Sequence, residues 1–551
     1  MVARIPLIVN PDAAQIQELP AGDTLDLPVV TLTADGTIAA NSAVILTSAG
    51  RAKAIETVGV STGSATTFHT GSSSESVYAL HDGAWFGDEG VIVAAWQIKS
   101  TTGSLDQRLQ IQPGTLSGNS VTWGTRVNVD ELALDIQIAS NGKDKGLLMY
   151  TLGSAVRVRT ITIQNDKTIS LGNSVTVRAN SSEGSICYIG EYLGRAHFAV
   201  AYKSATNQSD VKIVNVNGHN DTAMSSTQYE IVNTSTPHET THLVPLSDEQ
   251  SGSKHKFIAQ VGNNNSQTFH VCMSAGTTVK RIGDPYTAAE LGMTTGSFQG
   301  TKLYNDHING SVYDPVNKKY LIWNNRGDNG AGVLRVYGVD DSGYNETINF
   351  EFETTFVIDG VDHAHYSMYP TLQVTDKGQI VVTYNQNGGH QGKNVIGTYN
   401  HDRTQITWNS SVGGTPNNTN VNIWSNEETR HINQIKADNG KIIYIYSNGD
   451  SNSYNVSGKS IVMQTATTTL TADNFLGFSS AAYSNNDAAR IKVSGNTTTI
   501  SSGGINMKYY VRDNGTLSSA NLVNGGADGT NDRCFIIPAG KGISATTLLI
   551  T

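Results

Sequence analysis

A short apolar run returns seven times along this chain, and no other feature restricts its fold as tightly. The run reads IVAAW from Ile92, LLMYT from Leu147, FAVAY from Phe198, FIAQV from Phe257, YLIWN from Tyr320, IVVTY from Ile380 and IIYIY from Ile442, at intervals of 55, 51, 59, 63, 60 and 62 residues. One structural unit of about 58 residues is therefore repeated. Most runs follow a tight polar turn, such as GDEG before Val91, NGKDKG before Leu147, TDKG before Gln379 and ADNGK before Ile442. Another strand-like run lies upstream of the turn, for example DIQIA from Asp135 or TLQV from Thr371. Two β-rich runs joined by Asn, Asp and Gly form a hairpin. Two more alternating stretches follow, as in VRVRTITI from Val156 and ISLGNSVTV from Ile169, so each unit holds four short antiparallel strands. Seven such units predict an all-β chain built around a seven-bladed β-propeller. The central runs are continuously apolar because a blade is packed on both faces, whereas a sandwich strand alternates.

Composition bears on this reading in a few places. Charged residues are 15% of the chain and Gly accounts for 55 of 551 positions, which is the turn-rich chemistry of an all-β protein. One segment, DPYTAAELGM from Asp284, is expected to form a helical turn inserted in a blade loop. The net charge of -10, with no Lys/Arg cluster longer than a pair, argues against nucleic acid as a partner. IPLIV from Ile5 is too short for a secretory h-region, and no run approaches transmembrane length, so neither a signal peptide nor membrane insertion is expected. Cys187, Cys272 and Cys534 are odd in number and far apart, which predicts free thiols, two of them buried in blade strands.

Neither end of the chain has the blade pattern. The N-terminal flank holds two strands around a Gly turn in TLTADGTIAANSAVILTSAGRAKAI from Thr31, and TLTAD occurs again at Thr469. The C-terminal flank holds further strands in NFLGFSSAAYS from Asn474, ARIKVSGNTTTISSG from Ala489, KYYVRDNGTLSS from Lys508 and CFIIPAGKGISATTLLIT from Cys534. Residues 1–30 are read as an attachment segment, 31–57 as the first part of a flanking β domain, 58–468 as the propeller and 469–551 as the rest of the flanking domain. The flanking domain is expected to be a small β-sandwich or barrel into which the propeller is inserted. Residues 58–75 fit either domain.

The opening MVARIPLIVNPDAAQIQELPAGDTLDL and the closing FLGFSSAAYS, YYVRDNGTLSS and AGKGISATTLLI resemble the terminal segments of virion structural proteins of tailed bacteriophages, particularly fibre-like proteins of phages infecting marine cyanobacteria. The resemblance covers about a quarter of the chain. It departs at GGINMK from Gly503, where proteins of this kind often carry a Leu-Thr-Pro-Gly turn. It implies a particle component assembled in the host cytoplasm, with other virion proteins and host surface polysaccharide as partners. A homo-oligomer would form through the flanking β domain. A capsid decoration protein and a polysaccharide depolymerase are the alternatives.

The sharpest chemical motif is HETTH, from His238 to His242. On a helix it would set two imidazoles on zinc with Glu239 as general base. Here Thr240 and Thr241 are β-branched, LVPL follows directly, and ETTHL from Glu239 aligns with ETRHI from Glu428, so the motif reads as a recurring blade feature. A histidine stands ahead of the first strand of several units: His242, His307, His363, His365 and His431. Together with Asp306, Asp362, Glu239 and Glu428 these predict a polar ring of ligand-binding residues at the channel mouth. The bland alternative is that they satisfy backbone groups of the inner strands. Trp96, Trp323, Tyr384 and Tyr446 read as core, while Trp85, Trp123, Trp408, Trp424, Tyr344 and Tyr369 lie nearer strand ends, where a sugar face can stack on an exposed ring. No nucleophile motif, phosphate loop or telling carboxylate pair is present, so no catalytic residue, cofactor or metal is assigned.

Overall fold

The computed structural model describes residues 7–10, 15–18, 29–72, 75–100, 108–129, 133–205, 208–224, 228–233, 240–246, 254–262, 267–292, 310–325, 331–339, 348–357, 371–385, 391–400, 403–408, 411–412, 415–416, 422–449, 456–470, 474–500, 507–512, 515–519, 537–544 and 546–550. The fold is all-β and propeller-like, with antiparallel sheets throughout and no helix among the described residues. It divides into two compact units, Gly59–Thr467 and a discontinuous one made of Met1–Val58 with Thr468–Thr551.

In the first unit each apolar run lies in the second strand of a meander sheet. These strands are Val91–Ser100, Lys145–Leu152, Arg195–Ala205, Lys254–Gly262, Lys319–Asn325, Ile380–Asn385 and Lys441–Asn448. The first strands are Glu75–Phe86, Ala133–Ser140, Ser182–Tyr192, Thr240–Pro245, Ser311–Asp314, Thr371–Val374 and Arg430–Lys436, and the sheets are numbered one to seven in that order. Each first strand contacts the first strand of the next sheet, and Arg430–Lys436 contacts Glu75–Phe86, so the first strands form a closed ring. The apolar side chains of neighbouring sheets interlock between them, as where Phe86, Val91 and Val93 of sheet one meet Ile138, Leu148 and Tyr150 of sheet two.

Sheet seven is completed from the other end of the chain. Ser61–Thr62 and Thr66–His69 both pair with its third strand, Ser457–Gln464. Phe68 fixes this closure: its ring lies 4.8 Å from that of Trp96 and 5.3 Å from that of Trp123, both in sheet one. It covers Gly458, where any Cβ would overlap the ring. The same device recurs in sheet six, where Trp424 covers Gly392 and Trp408 covers Gly397. An aromatic residue laid over a strand glycine restores the packing the glycine gives up. Residues 61–69 thus belong to the ring, and they make the outer strand of its last sheet.

In the discontinuous unit, strands from both ends of the chain share one sheet. Val29–Thr33 pairs with Ala488–Lys492, which pairs with Phe475–Ser479, then Ala43–Leu46 and Ala52–Ala54. A second sheet contains Thr497–Thr499, Thr547–Ile550, Ile537–Gly542, Lys508–Val511 and Leu517–Ser518. Ala43, Ile45 and Phe478 of the first sheet pack with Tyr509, Val511, Leu548 and Ile550 of the second. Leu7–Asn10 and Gln15–Glu18 form a separate hairpin.

The DPYTAAELGM segment carries a single tight turn. Leu291 N donates to Thr287 O at 3.2 Å, and Thr287 and Glu290 cap each other, with Thr287 N to Glu290 Oε2 at 2.7 Å and Glu290 N to Thr287 Oγ1 at 3.3 Å.

Candidate functional site in the channel of the ring

The first strands run side by side around the ring, so their inward-facing side chains converge. They enclose a cavity of about 1080 Å³ to which all seven sheets contribute. Its wall is held by polar side chains that bridge one sheet to the backbone of the next. Asp82 accepts from Ile138 N at 2.8 Å, Gln137 accepts from Ile186 N at 2.9 Å and donates to Gly184 O at 3.0 Å, and Ser185 Oγ accepts from Leu243 N at 3.1 Å. Farther round, Gln373 donates to Gln434 O at 3.4 Å, Gln434 donates to Thr371 O at 2.8 Å, and Asn433 donates to Asp82. First strands paired on one side only leave backbone groups that need such partners.

Asp82 is the most perturbed acid in this wall. Burial raises its carboxyl to about 6, against the hydrogen bonds it accepts from Ile138 N, Gly83 N and Asn433 Nδ2. A raised carboxyl is what a general acid needs. The oxygens of Asp82 are already engaged by three donors of its own wall, so its place is in holding sheets one, two and seven together.

The cavity reaches the turns of the first hairpins, where Asp88, Lys143, Leu193, Asp376 and Asp438 line it. These turns are tied to one another. Gly87 N donates to Gly142 O at 2.8 Å, Asn317 Nδ2 donates to Gly378 O at 3.3 Å, and the Asp376 carboxylate accepts from Asn439 N at 2.9 Å and Gly440 N at 2.6 Å. A mouth built this way is pre-formed. Five carboxylates, of Asp82, Asp88, Glu191, Asp376 and Asp438, stand against Lys143 and Lys436, and no arginine lines the cavity among the described residues. Its field disfavours anions. Trp85 lines the wall, partly exposed, and its Nε1 is buried with no hydrogen-bond partner.

Of the ring expected from the sequence, His242 lines the cavity, on the extended strand Thr240–Pro245. That strand removes the helix a zinc-protease reading of HETTH requires. His431 is buried at a bulge between Arg430 and Asn433, with a left-handed φ of 49°, and does not line the cavity. Glu428 ends the outer strand Asn422–Glu428 and pairs with Arg430 at 2.9 Å. His307, His363, His365, Asp306, Asp362 and Glu239 lie outside the described residues, as do Tyr344, Tyr369 and Cys534. Cys187 and Cys272 are free and buried.

Trp96, Trp323, Tyr384 and Tyr446 are core residues, as their strand positions predict. Trp408 and Trp424 correct the expectation of exposure: both are 3% exposed, because each covers a glycine of the neighbouring strand. Trp123 packs on Phe68. Only Trp85 of the described aromatic candidates lines the cavity. The sequence pattern drew attention to residues ahead of the first strands and not to Asp82, Gln137, Ser185, Gln373 and Asn433, which lie within them. The available signal was a polar residue interrupting the first strand of successive units, as in DIQIA and TLQV.

No protein-family model and no curated protein sequence matches the chain. Solved structures similar to it include a protein of unknown function from Dyadobacter fermentans, at 8% identity over 74% of this chain and 99% of that one, with a TM-score of 0.36. An alpha-L-arabinofuranosidase from Fusarium graminearum matches at 9% identity over 72% of this chain and 97% of that one, with a TM-score of 0.35. A leech intramolecular trans-sialidase matches at 9% identity over 72% and 69%, with a TM-score of 0.37. At these values the likeness assigns neither a family nor an activity.

Proposed function

We propose that the chain is a non-enzymatic binding component of a tailed-phage particle, whose seven-bladed β-propeller takes a neutral glycan of the host surface in its channel. The observation that carries the binding reading is the cavity wall itself: a partly exposed indole, set among amide and hydroxyl side chains and under a net negative field. A ring face stacks on an indole, the amide and hydroxyl side chains around it bond the sugar hydroxyls, and the field discriminates against acidic sugars. The virion setting rests on the resemblance of the terminal segments. The discontinuous unit, read as a small β-sandwich, is the part that attaches to the particle.

The test is a glycan array probed with the whole chain, followed by competition of phage adsorption with the purified protein. Binding confined to neutral glycans, blocked adsorption and at least a tenfold loss of glycan binding in a folded Trp85→Ala variant are the expected results. Release of reducing sugar would overturn the non-enzymatic reading, and undisturbed adsorption would remove the receptor role.

A further inference from the structure

Away from the channel, the packing between sheets three and four ends in polar side chains. Along this contact Ala199, Ala201, Val211 and Ile213 of sheet three face Phe257, Ala259 and Cys272 of sheet four. Strand alternation carries the same two faces one row farther toward the first-hairpin turns, to His197 opposite Asn215 and His255 opposite Ser274. All four are buried, with exposures of 2%, 7%, 0% and 0% in that order. The two imidazole centroids are 5.2 Å apart at an interplanar angle of 77°. His197 Nδ1, Asn215 Oδ1, both ring nitrogens of His255 and Ser274 Oγ are buried without a hydrogen-bond partner. Native interiors rarely leave so many polar atoms unsatisfied at one point unless an ion or water completes them.

We propose that His197, His255, Asn215 and Ser274 form a tetrahedral site for a divalent transition ion, with zinc as the reference case. Two imidazoles bound at about 2.0 Å through nitrogens that lie about 1.2 Å from their ring centres place those centres about 5.2 Å apart when they subtend a tetrahedral angle. The rings stand at that separation. Asn215 and Ser274 supply two oxygen donors from the paired strands, giving the mixed N/O set that suits zinc or copper. Metal binding needs deprotonated histidines. Desolvation, then His197, holds His255 down to about 4, and desolvation, then Arg195, lowers His197, so burial favours the neutral form of both rings. The four ligands carry no charge, so affinity falls short of that of thiolate sites.

The full-length, untagged chain, stripped with chelator, is titrated with Zn²⁺ by calorimetry and with Co²⁺ by visible absorption. Expected are one equivalent of zinc beyond that bound by a His197→Gln/His255→Gln double variant, intense tetrahedral Co²⁺ bands, a rise in melting temperature with zinc, and at least a tenfold weaker affinity in Asn215→Ala. Equal binding by the parent and double variant, or the weak spectrum of six-coordinate cobalt, overturns the site and leaves water as its occupant. Should the double variant not fold, X-ray absorption of the zinc-loaded parent chain decides: two imidazoles in a four-atom shell support the site, and a shell without imidazole overturns it.

Discussion

In the ring, Lys145–Leu152 buries six consecutive residues, whereas in the discontinuous unit Ala488–Lys492 buries only Ala489 and Ile491. The contrast follows from what each strand touches. A second strand of the ring lies between two neighbouring sheets, so both faces need apolar side chains. A strand of the other unit presents one face to a core and the other to solvent, and it alternates. Stability in the ring therefore depends on every sheet having a neighbour on both sides, while in the other unit it depends on two sheets and a shared core.

The sharpest way to break this contrast is at the closure of the ring. Phe68→Ala removes the ring held by Trp96, Trp123 and Gly458 and should cost about 3–5 kcal/mol. Segment-resolved hydrogen exchange should show faster exchange in Ser457–Gln464 and Val91–Ser100, and none in Ala488–Lys492. Equal loosening of both units would mean that they do not stabilise independently.

Acid should act on the same closure. Burial, and after it Arg126, lowers His69 from 6.5 to about 4. The unfolded chain then binds this proton more readily than the folded one, so the stability contributed by neutral His69 is full above pH 6.5 and is lost as pH falls through about 4. The loss amounts to about 3 kcal/mol. His69→Gln should flatten the fall in melting temperature over that window, and an unchanged profile would assign acid sensitivity elsewhere.

For the discontinuous unit the matching lesion is Gly477→Ala. Gly477 has a φ of 153°, and a Cβ would overlap Lys492 O in the paired strand. Destabilisation of about 1–3 kcal/mol is expected, read as faster exchange in Phe475–Ser479 with the ring unaffected. At the small end, Lys459→Met removes the 2.6 Å ion pair with the exposed Glu427 and should change stability by less than about 1 kcal/mol. A larger loss would give the ring's outer surface more weight than its packing implies.

The ring was legible in the sequence because its second strands are doubly buried: seven apolar runs at a steady interval are a direct trace of seven stacked sheets. The turns ahead of them were legible because Asn, Asp and Gly there meet backbone demands. Pairing between distant segments was not. Nothing local in residues 61–69 shows that they join Ser457–Gln464, because the partner lies at the far end of the unit. Exposure of aromatic residues was misread where a strand glycine lay beneath, as at Trp424 over Gly392. The candidate site was hardest to read. Its wall residues are single polar interruptions whose meaning depends on which backbone group stands opposite, as Ile138 N does for Asp82.

The closing strand also sets an order in time. Thr66 meets Ser460 across 394 residues of chain, so during synthesis this outer strand of the last sheet emerges long before its partner exists. At about 5–20 residues per second the wait is roughly 20–80 s. Through that interval Thr66–His69 is an unpaired strand carrying an aromatic side chain, and six sheets assemble against an open flank. The ring can become whole only when the ribosome has passed Gln464, which makes the last sheet a checkpoint on completeness: a chain truncated within it stays open, exposed to proteases and to the strands of other unfinished chains.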